Sequence, residues 1–423
     1  MRIHSISITD FRAIHQTKFN LHGDSALLIG LNGAGKSSVL ECLSILFSYM
    51  SASLTNRRIN ASRKHMSDKD IRKKASSFTA NLIIEFENNY YSWMIGQTIN
   101  KKEKSKSLFH NKELKHLTDF ILTQVHQHDN AYNIPLAVYY PTHRAVLDIP
   151  LRIRNKHEFD PFSAWEGALK SGVDFRVFFE WFRNREDLEN EVRLSEDIHY
   201  RDIQLEAVRN AIYSFLHGFS HLRVKRNPLK MVISKKNQEF EVDMLSDGEK
   251  CMLAMAGDLA RRLAIANPQR VNPLTGEGIV LIDEVELHLH PQWQREIIAA
   301  FKTTFPNIQF IFTTHSPQVL GEANGLKTYL LEASEEGTKS KDLHYVYGKD
   351  SNRILEEDMG ASERNKDIQQ DLDLLDESLS RKDMNKASIL VASIKEKLGS
   401  DTPELIRANV LLDRWRSKNE ANF

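Results

Sequence analysis

What this chain lacks sets the first bounds on it. Only 2 of its 423 residues are cysteine, and Cys42 and Cys251 stand far apart, inside apolar helical stretches, with no Cys-x-x-Cys pair. A disulfide-stapled secreted fold is therefore not expected; buried reduced thiols of a cytoplasmic protein are. Neither sign of charge is in excess, with Lys plus Arg and Asp plus Glu both 57. Net charge thus points to no nucleic-acid partner, and any basic surface has to be local. No apolar run reaches the ~18 residues of a membrane span, and the opening MRIHSISITDF is no signal peptide. No heptad pattern is sustained, which excludes a long coiled-coil arm, and there is neither an internal repeat nor a long low-complexity segment.

What remains is ordinary globular material, 41% hydrophobic and 27% charged, long enough for two or three lobes. Residues 1–30 alternate polar and apolar as short strands do, and SALLIG runs directly into a glycine loop and then a helical pattern with Val39, Leu40, Leu43, Leu46 and Phe47 on one face. Residues 78–95 look like a hairpin, while 51–75 and 96–116 look like polar, basic loops. IPLAVYY, GIVLIDE and NIQFIFTTH are continuously apolar, as the strands of a sheet covered on both faces are. Several short helices are expected over 161–218, strands from HLRV to about 244, and a helix from LSDGEK to about Ile265. The last seventy or so residues are charged and helical. Their stripes Leu372, Leu375, Leu379; Ile389, Ile394, Leu398; and Leu405, Val410, Trp415 must be buried against something. The expected division is a first part of the head over 1–150, a helical insert lobe over 151–240, a second part of the head over 241–350, and over 351–423 a helical tail for assembly or partner docking.

The chemistry is concentrated in four stretches. Gly30-Leu31-Asn32-Gly33-Ala34-Gly35-Lys36-Ser37 satisfies G-x-x-x-x-G-K-[ST] between a strand and a helix, the context that motif requires. Glycines let backbone N–H groups turn inward around phosphate oxygens, and the helix N-terminus adds its dipole. Asn32, Gly33, Gly35 and Ser38 are expected to line the nucleotide, Lys36 to reach the β- and γ-phosphates, and Ser37 to ligate magnesium. GIVLIDE then delivers two carboxylates at a strand end: Asp283 as a magnesium partner, and Glu284 to accept a proton from the attacking water. LSDGEK opens a helix, so Ser246 and the N–H groups of Asp247 and Gly248 form an anion site; its resemblance to the signature stretch of ABC-type ATPases implies that this site serves ATP held by a second molecule. Asp247 places a negative side chain there, which should point away or bond locally. Finally, His315 ends a buried strand, where alone it would be an ordinary core or turn residue; the order of motifs, which resembles that of ABC-type ATPases, implies that it is the switch that contacts the γ-phosphate. Arg12 after DF, and Arg144 in the turn where related heads place a lobe-coupling glutamine, are further candidates for the nucleotide. The clusters RRINASRK, KDIRKK and KKEKSK could bind phosphate backbones.

Together the Walker loop, LSDGEKCMLAMAGDLARRLAIANP, GIVLIDEVELHLHPQWQR, FTTHSPQVL and YGKDSNRILEEDMG with its helical tail resemble the PtuA-type ATPase of bacterial Septu defence systems and of related retron systems. The resemblance implies an α/β, ABC-type P-loop NTPase head with a mixed sheet, a helical lobe insertion and a small C-terminal helical module. It also implies ATP and Mg2+ as cofactors, head-to-head homodimers that assemble further, and a separately encoded HNH nuclease, PtuB, as effector in anti-phage immunity. In a retron setting, DNA in the form of msDNA with its reverse transcriptase would join. Nothing after His315 resembles a Toprim nuclease, so the chain itself is expected to be the ATPase alone. The alternatives are a free-standing RecF-like DNA-repair ATPase and, behind it, the nucleotide-binding subunit of a transporter.

Overall fold

The computed structural model describes residues 1–55, 64, 66–99, 106–128, 132–143, 159–170, 172–335, 337–358, 365–399 and 402–420. They fall into two compact units, Met1–Ser351 and Asn352–Phe423.

The first unit is built on three sheets. Strands β1 (Arg2–Phe11), β2 (Ile14–Asn20), β4 (Ser77–Phe86), β5 (Asn89–Thr98) and β6 (Lys106–His110) form an antiparallel sheet in the order β2-β1-β4-β5-β6. The six-stranded sheet has the order β14-β13-β3-β12-β11-β7, from β3 (Ala26–Ile29), β7 (Leu136–Tyr140), β11 (Gly278–Ile282), β12 (Ile308–Thr313), β13 (Lys327–Glu332) and β14 (Lys339–Leu343). Only β14 runs antiparallel to its neighbour. Every residue of β3, β7, β11 and β12 is buried, as both-face coverage demands and as their unbroken apolar runs imply. A three-stranded sheet, β8 (Phe219–Arg226), β9 (Leu229–Lys235) and β10 (Gln238–Glu241), leads into the helix that begins at LSDGEK, the signature stretch. The fold is α/β, with a mixed sheet as its core.

Helix α1 (Lys36–Thr55) lies between the antiparallel sheet, through β4 and β5, and the six-stranded sheet, through β7, β11 and β12. Trp93 on β5 donates its indole N–H to the Leu46 carbonyl at 3.1 Å. Among the described residues α1 alone is long and apolar enough, by length and composition, to cross a membrane. Its apolar character has another cause, since a helix covered on two sides needs apolar residues all round. Residues 96–116 are also not simply a loop. They contain β6 and the start of α2 (Lys112–Gln127), whose Leu114, Leu117, Ile121 and Val125 are buried at helical spacing.

Helices α3 (Phe175–Ser195) and α4 (Ile203–Phe215) pack with α5 (Asp247–Ala266). Cys42 and Cys251 are both buried free thiols, and burial drives the Cys42 thiol far up from its ordinary pKa. Helix α6 (Pro291–Thr304) and the short α7 (Pro317–Gly321) follow the two motif strands β11 and β12, and α8 (Ser351–Arg353) is a single turn.

In the second unit, α9 (Lys366–Ser380), α10 (Met384–Leu398) and α11 (Pro403–Glu420) enclose a core of Leu372, Leu375, Ala387, Val391, Ile394, Leu405, Ala408 and Leu412. The expected stripes are right for α9 and shifted for the other two helices. Ile389 and Val410 are 69% and 62% exposed, and Leu398 is also exposed. The true seams run 387, 391, 394 and 405, 408, 412, spacings of three and four that include the fully buried Ala387 and Ala408.

Candidate nucleotide-binding site

The phosphate loop follows β3 in the middle of the six-stranded sheet. Gly30 is forced by proximity, because a Cβ there would stand 2.3 Å from the Leu331 carbonyl oxygen on β13. Gly33 has φ +81° and open space where a Cβ would point, which leaves its backbone free to face a ligand. Asn32 and Gly33 are exposed and Ser38 is half-buried at the start of α1. Lys36 is buried, and its ammonium donates to the carbonyls of Gly30 at 2.8 Å and Leu31 at 3.2 Å. Burial lowers its pKa; Asp283, Glu284 and Glu286 pull the other way without cancelling that effect.

Two neighbouring strands deliver the acidic half of the site. Ser37 donates its hydroxyl to Asp283 Oδ1 at 3.1 Å, and Thr313 donates to the same oxygen at 2.6 Å. The Thr313 hydroxyl also accepts the Glu284 N–H at 2.7 Å. Glu284 itself adopts φ 46°, a left-handed conformation that costs a non-glycine residue free energy and must be held by its surroundings. Here the holders are Thr313 and the Val285 N–H bond to the Thr313 carbonyl at 3.0 Å. His315 Nε2 lies 4.0 Å from Glu284 Oε1. Burial, then the nearby charge of Lys36, depresses the His315 pKa against the opposing pull of the three carboxylates.

The structure thus brings Lys36, Ser37, Asp283, Glu284 and His315 to one place. The sequence analysis gave no role to a residue that organises it: Glu286. Its carboxylate accepts the Thr314 hydroxyl at 2.7 Å and the His315 N–H at 2.6 Å, clamping the turn after β12 to the turn after β11. A carboxylate two residues beyond the Walker pair was the available signal.

Ser246 is the N-cap of α5. Its hydroxyl is bonded to Glu249 in a reciprocal capping box and remains exposed. The Asp247 side chain is 83% exposed, with Lys250 3.9 Å away. Gly248 is buried, and a Cβ there would lie 2.7 Å from the His288 carbonyl oxygen. The helix start is therefore packed directly against the turn after Asp283 and Glu284. His288 and His290 belong to that turn, and His290 caps α6. No group of three or more potential metal-binding His, Cys, Asp or Glu occurs among the described residues.

Arg12 has φ 51° and its guanidinium pairs with Glu41 and with Asp70, the latter at 2.9 Å. Burial pulls its pKa down, but Glu41 and Asp70 outweigh that and raise it. Arg144 lies outside the described residues, as do most of the clusters at 57–64 and 101–106.

For magnesium, the hydroxyl of Ser37 and the carboxylate of Asp283 form an adjacent pair of hard oxygen donors at the end of the phosphate loop, the set that ion prefers when it keeps several waters. For a nucleotide, the open cradle at Gly33 and the inward lysine fit a chain of phosphates.

Residues 25–321 match the family described as "AAA domain, putative AbiEii toxin, Type IV TA system". The chain is 31% identical to the retron Ec83 probable ATPase of Escherichia coli, over 84% of this chain and 76% of that one. It is 25% identical to the Septu protein PtuA of Bacillus thuringiensis, over 76% and 73% of the two chains. Among solved structures it is similar to an SMC head domain from Thermotoga maritima, at 14% identity, 82% and 100% coverage, and a TM-score of 0.44.

Proposed function

The chain belongs to the AAA-domain family that holds the retron and Septu PtuA ATPases, and it is an ATPase; from that premise we propose that it is the ATP-dependent regulatory subunit of an anti-phage defence complex in the cytoplasm, closing as a homodimer around ATP and controlling a separate HNH nuclease. In this reading Gly33, Gly35 and Lys36 hold the phosphates. Ser37 and Asp283 hold magnesium, which would neutralise charge on the β- and γ-phosphates when bound. Glu284 takes a proton from the attacking water, Glu286 fixes the turn that presents His315, and His315 contacts the γ-phosphate.

The observation that carries the dimer is the state of Ser246. Its hydroxyl bonds only within its own capping box, it is exposed, and no hydrogen bond ties it to the Lys36–Asp283–Glu284 group among the described residues. A signature so disposed is free to complete the site of another copy. Arg12 would join the phosphates after exchanging its bonds to Glu41 and Asp70. The exposed Ile389, Ile406 and Val410 of the second unit support a docking or assembly role for the tail.

Mixing two inactive chains tests the trans arrangement. Lys36→Ala cannot bind nucleotide, and Ser246→Arg cannot close. Each alone should be inactive, while the mixture should regain up to about a quarter of wild-type hydrolysis, because half the random dimers are mixed and each carries one intact site of two; coupling between sites would lower this. Normal hydrolysis by Ser246→Arg alone would end the proposal. Co-purification with the neighbouring HNH protein, with and without the tail from Asp367, tests the effector.

A further inference from the structure

A second cavity lies at the opposite end of the sheet from the Walker residues. Asp283 and Glu284 follow the C-terminal end of β11, whereas this cavity of about 360 Å³ sits at its N-terminal end, beside Glu277 and the approach to β7 at Ile134 and Pro135. The five residues of β11 separate the two places by roughly 17 Å. Ligands of open parallel sheets ordinarily bind at the carboxyl ends of the strands, so this cavity is no extension of the first site.

Its lining is unusual in what it leaves unsatisfied. Among the described residues Asn133 Oδ1 and Arg270 Nε are both buried atoms without a hydrogen-bond partner, and both residues line the cavity. The Arg270 side chain makes no hydrogen bond or ion pair among the described residues. Leaving a buried acceptor and a buried donor unpaired is costly, and the two belong to residues of one cavity lining, so a ligand that supplies the complementary pair there would remove that cost. The charges around it balance. Glu277 takes the Met1 ammonium at 2.8 Å, Glu87 takes the Tyr132 hydroxyl at 2.6 Å, and Arg270 remains as the cation. The lining itself thus holds two carboxylates and one cation, with the Met1 ammonium outside it on Glu277, a balance that does not favour a phosphate or a carboxylate. Phe86, His128 and Tyr132 supply aromatic surface; the His128 and Tyr132 rings stand 6.1 Å apart at 38°, a wedge rather than a closed stack.

We propose that this cavity binds a nucleobase, with Asn133 and Arg270 reading the donor and acceptor of its polar edge and Tyr132 or His128 stacking on its face. Every base carries an adjacent donor and acceptor on one edge, and bases taken out of a helix are held by aromatic stacking with hydrogen bonds to that edge. The cavity also touches the end of the signature helix. Asn267 caps α5, donating its side-chain amide to the Leu263 carbonyl at 2.8 Å, and Ile134 N–H bonds the Ala266 carbonyl at 2.9 Å. A base bound here would rest on the far end of the helix that starts at Ser246.

The same chemistry is offered by a free nucleoside and by an unpaired base of a single strand, and the test separates them. Guanosine, adenosine, cytidine and uridine, which carry no phosphate for the Walker loop to grip, are titrated by calorimetry and by NMR into the full chain and into Lys36→Ala. A mixed-sequence single-stranded DNA hexamer is titrated in parallel. Saturable binding that survives Lys36→Ala is expected. It should weaken about tenfold or more in Arg270→Gln and in Asn133→Leu, and several-fold in Tyr132→Ala from lost stacking, with thermal melting and ATP hydrolysis retained. Whichever of nucleoside and hexamer binds more tightly identifies the source. Absence of saturable binding by both, as a cavity filled only by water would give, overturns the proposal, and so does equal affinity in Arg270→Gln and Asn133→Leu. Neither result bears on the Walker site.

Discussion

Tyr140 donates its hydroxyl to Asp258 at 3.0 Å while its own backbone carbonyl accepts the Asp283 N–H at 2.9 Å. One residue thereby joins the Walker B strand end to the middle of the signature helix. Asp258 is fully buried and also holds Arg261 and Arg262, each at 2.7 Å, and Arg262 goes on to the carbonyls of Ala164 and Glu166. Burial would push the Asp258 carboxyl up; Arg262 and Arg261 hold it below its ordinary value.

The two ends of this link should differ in cost. Asp258→Ala leaves two buried guanidinium groups without their carboxylate, a loss of about 3–5 kcal/mol. Tyr140→Phe removes one hydrogen bond from a carboxylate that keeps two others, about 1–2 kcal/mol. Urea midpoints at constant slope measure both, and equal costs would refute the network as drawn.

Lys36→Ala should abolish ATP binding, since the loop loses the ammonium now parked on the Gly30 and Leu31 carbonyls. Calorimetry should show no heat of binding, and the ATP-dependent rise in melting temperature should vanish because that rise follows ligand occupancy. Undiminished affinity would sink the assignment of Lys36.

Glu284→Gln keeps the shape of the turn and its N–H bond to Thr313 but cannot take a proton. Binding should persist while turnover falls ~10²–10⁴-fold, the usual worth of general-base assistance. A change within a few-fold would mean that another group is the base.

His315 should titrate below the ordinary 6.5 in the nucleotide-free protein, because burial and Lys36 disfavour its cation. The sign for stability follows. The folded chain holds the proton less tightly than the unfolded chain, so the contribution is fully present above the unfolded value near 6.5 and is lost as pH falls through the lower folded value. Lys36→Met should move the His315 midpoint upward by NMR; an unmoved midpoint would deny the coupling.

Much of the head was legible because its chemistry is local in sequence. The phosphate loop, the apolar strands β7, β11 and β12, and the capped start of α5 each announce themselves within about ten residues. What stayed hidden depends on distance. Nothing near Arg12 in the chain tells that Glu41 and Asp70 will take its guanidinium. Asp258, Arg261 and Arg262 went unremarked inside the α5 sequence, yet all three are buried, because a strand and a loop from elsewhere bring their partners. The α2 pattern was present but masked by the lysines beside it, and in α10 and α11 alanines took seam positions that larger exposed residues had suggested for themselves.

The place of β3 between β12 and β13 has a consequence for synthesis. The strand that carries the phosphate loop pairs with strands made some three hundred residues later, and Gly30 rests on Leu331. On a ribosome adding ~5–20 residues per second, the loop waits about 15–60 s for its floor and both its flanks. The antiparallel sheet of β1, β2, β4 and β5 needs no such delay, since its strands are complete by residue 98. A nascent chain therefore carries a Walker sequence long before it owns a Walker site, and a fragment released before residue 308 would have the letters of the motif without the ability to hold a nucleotide.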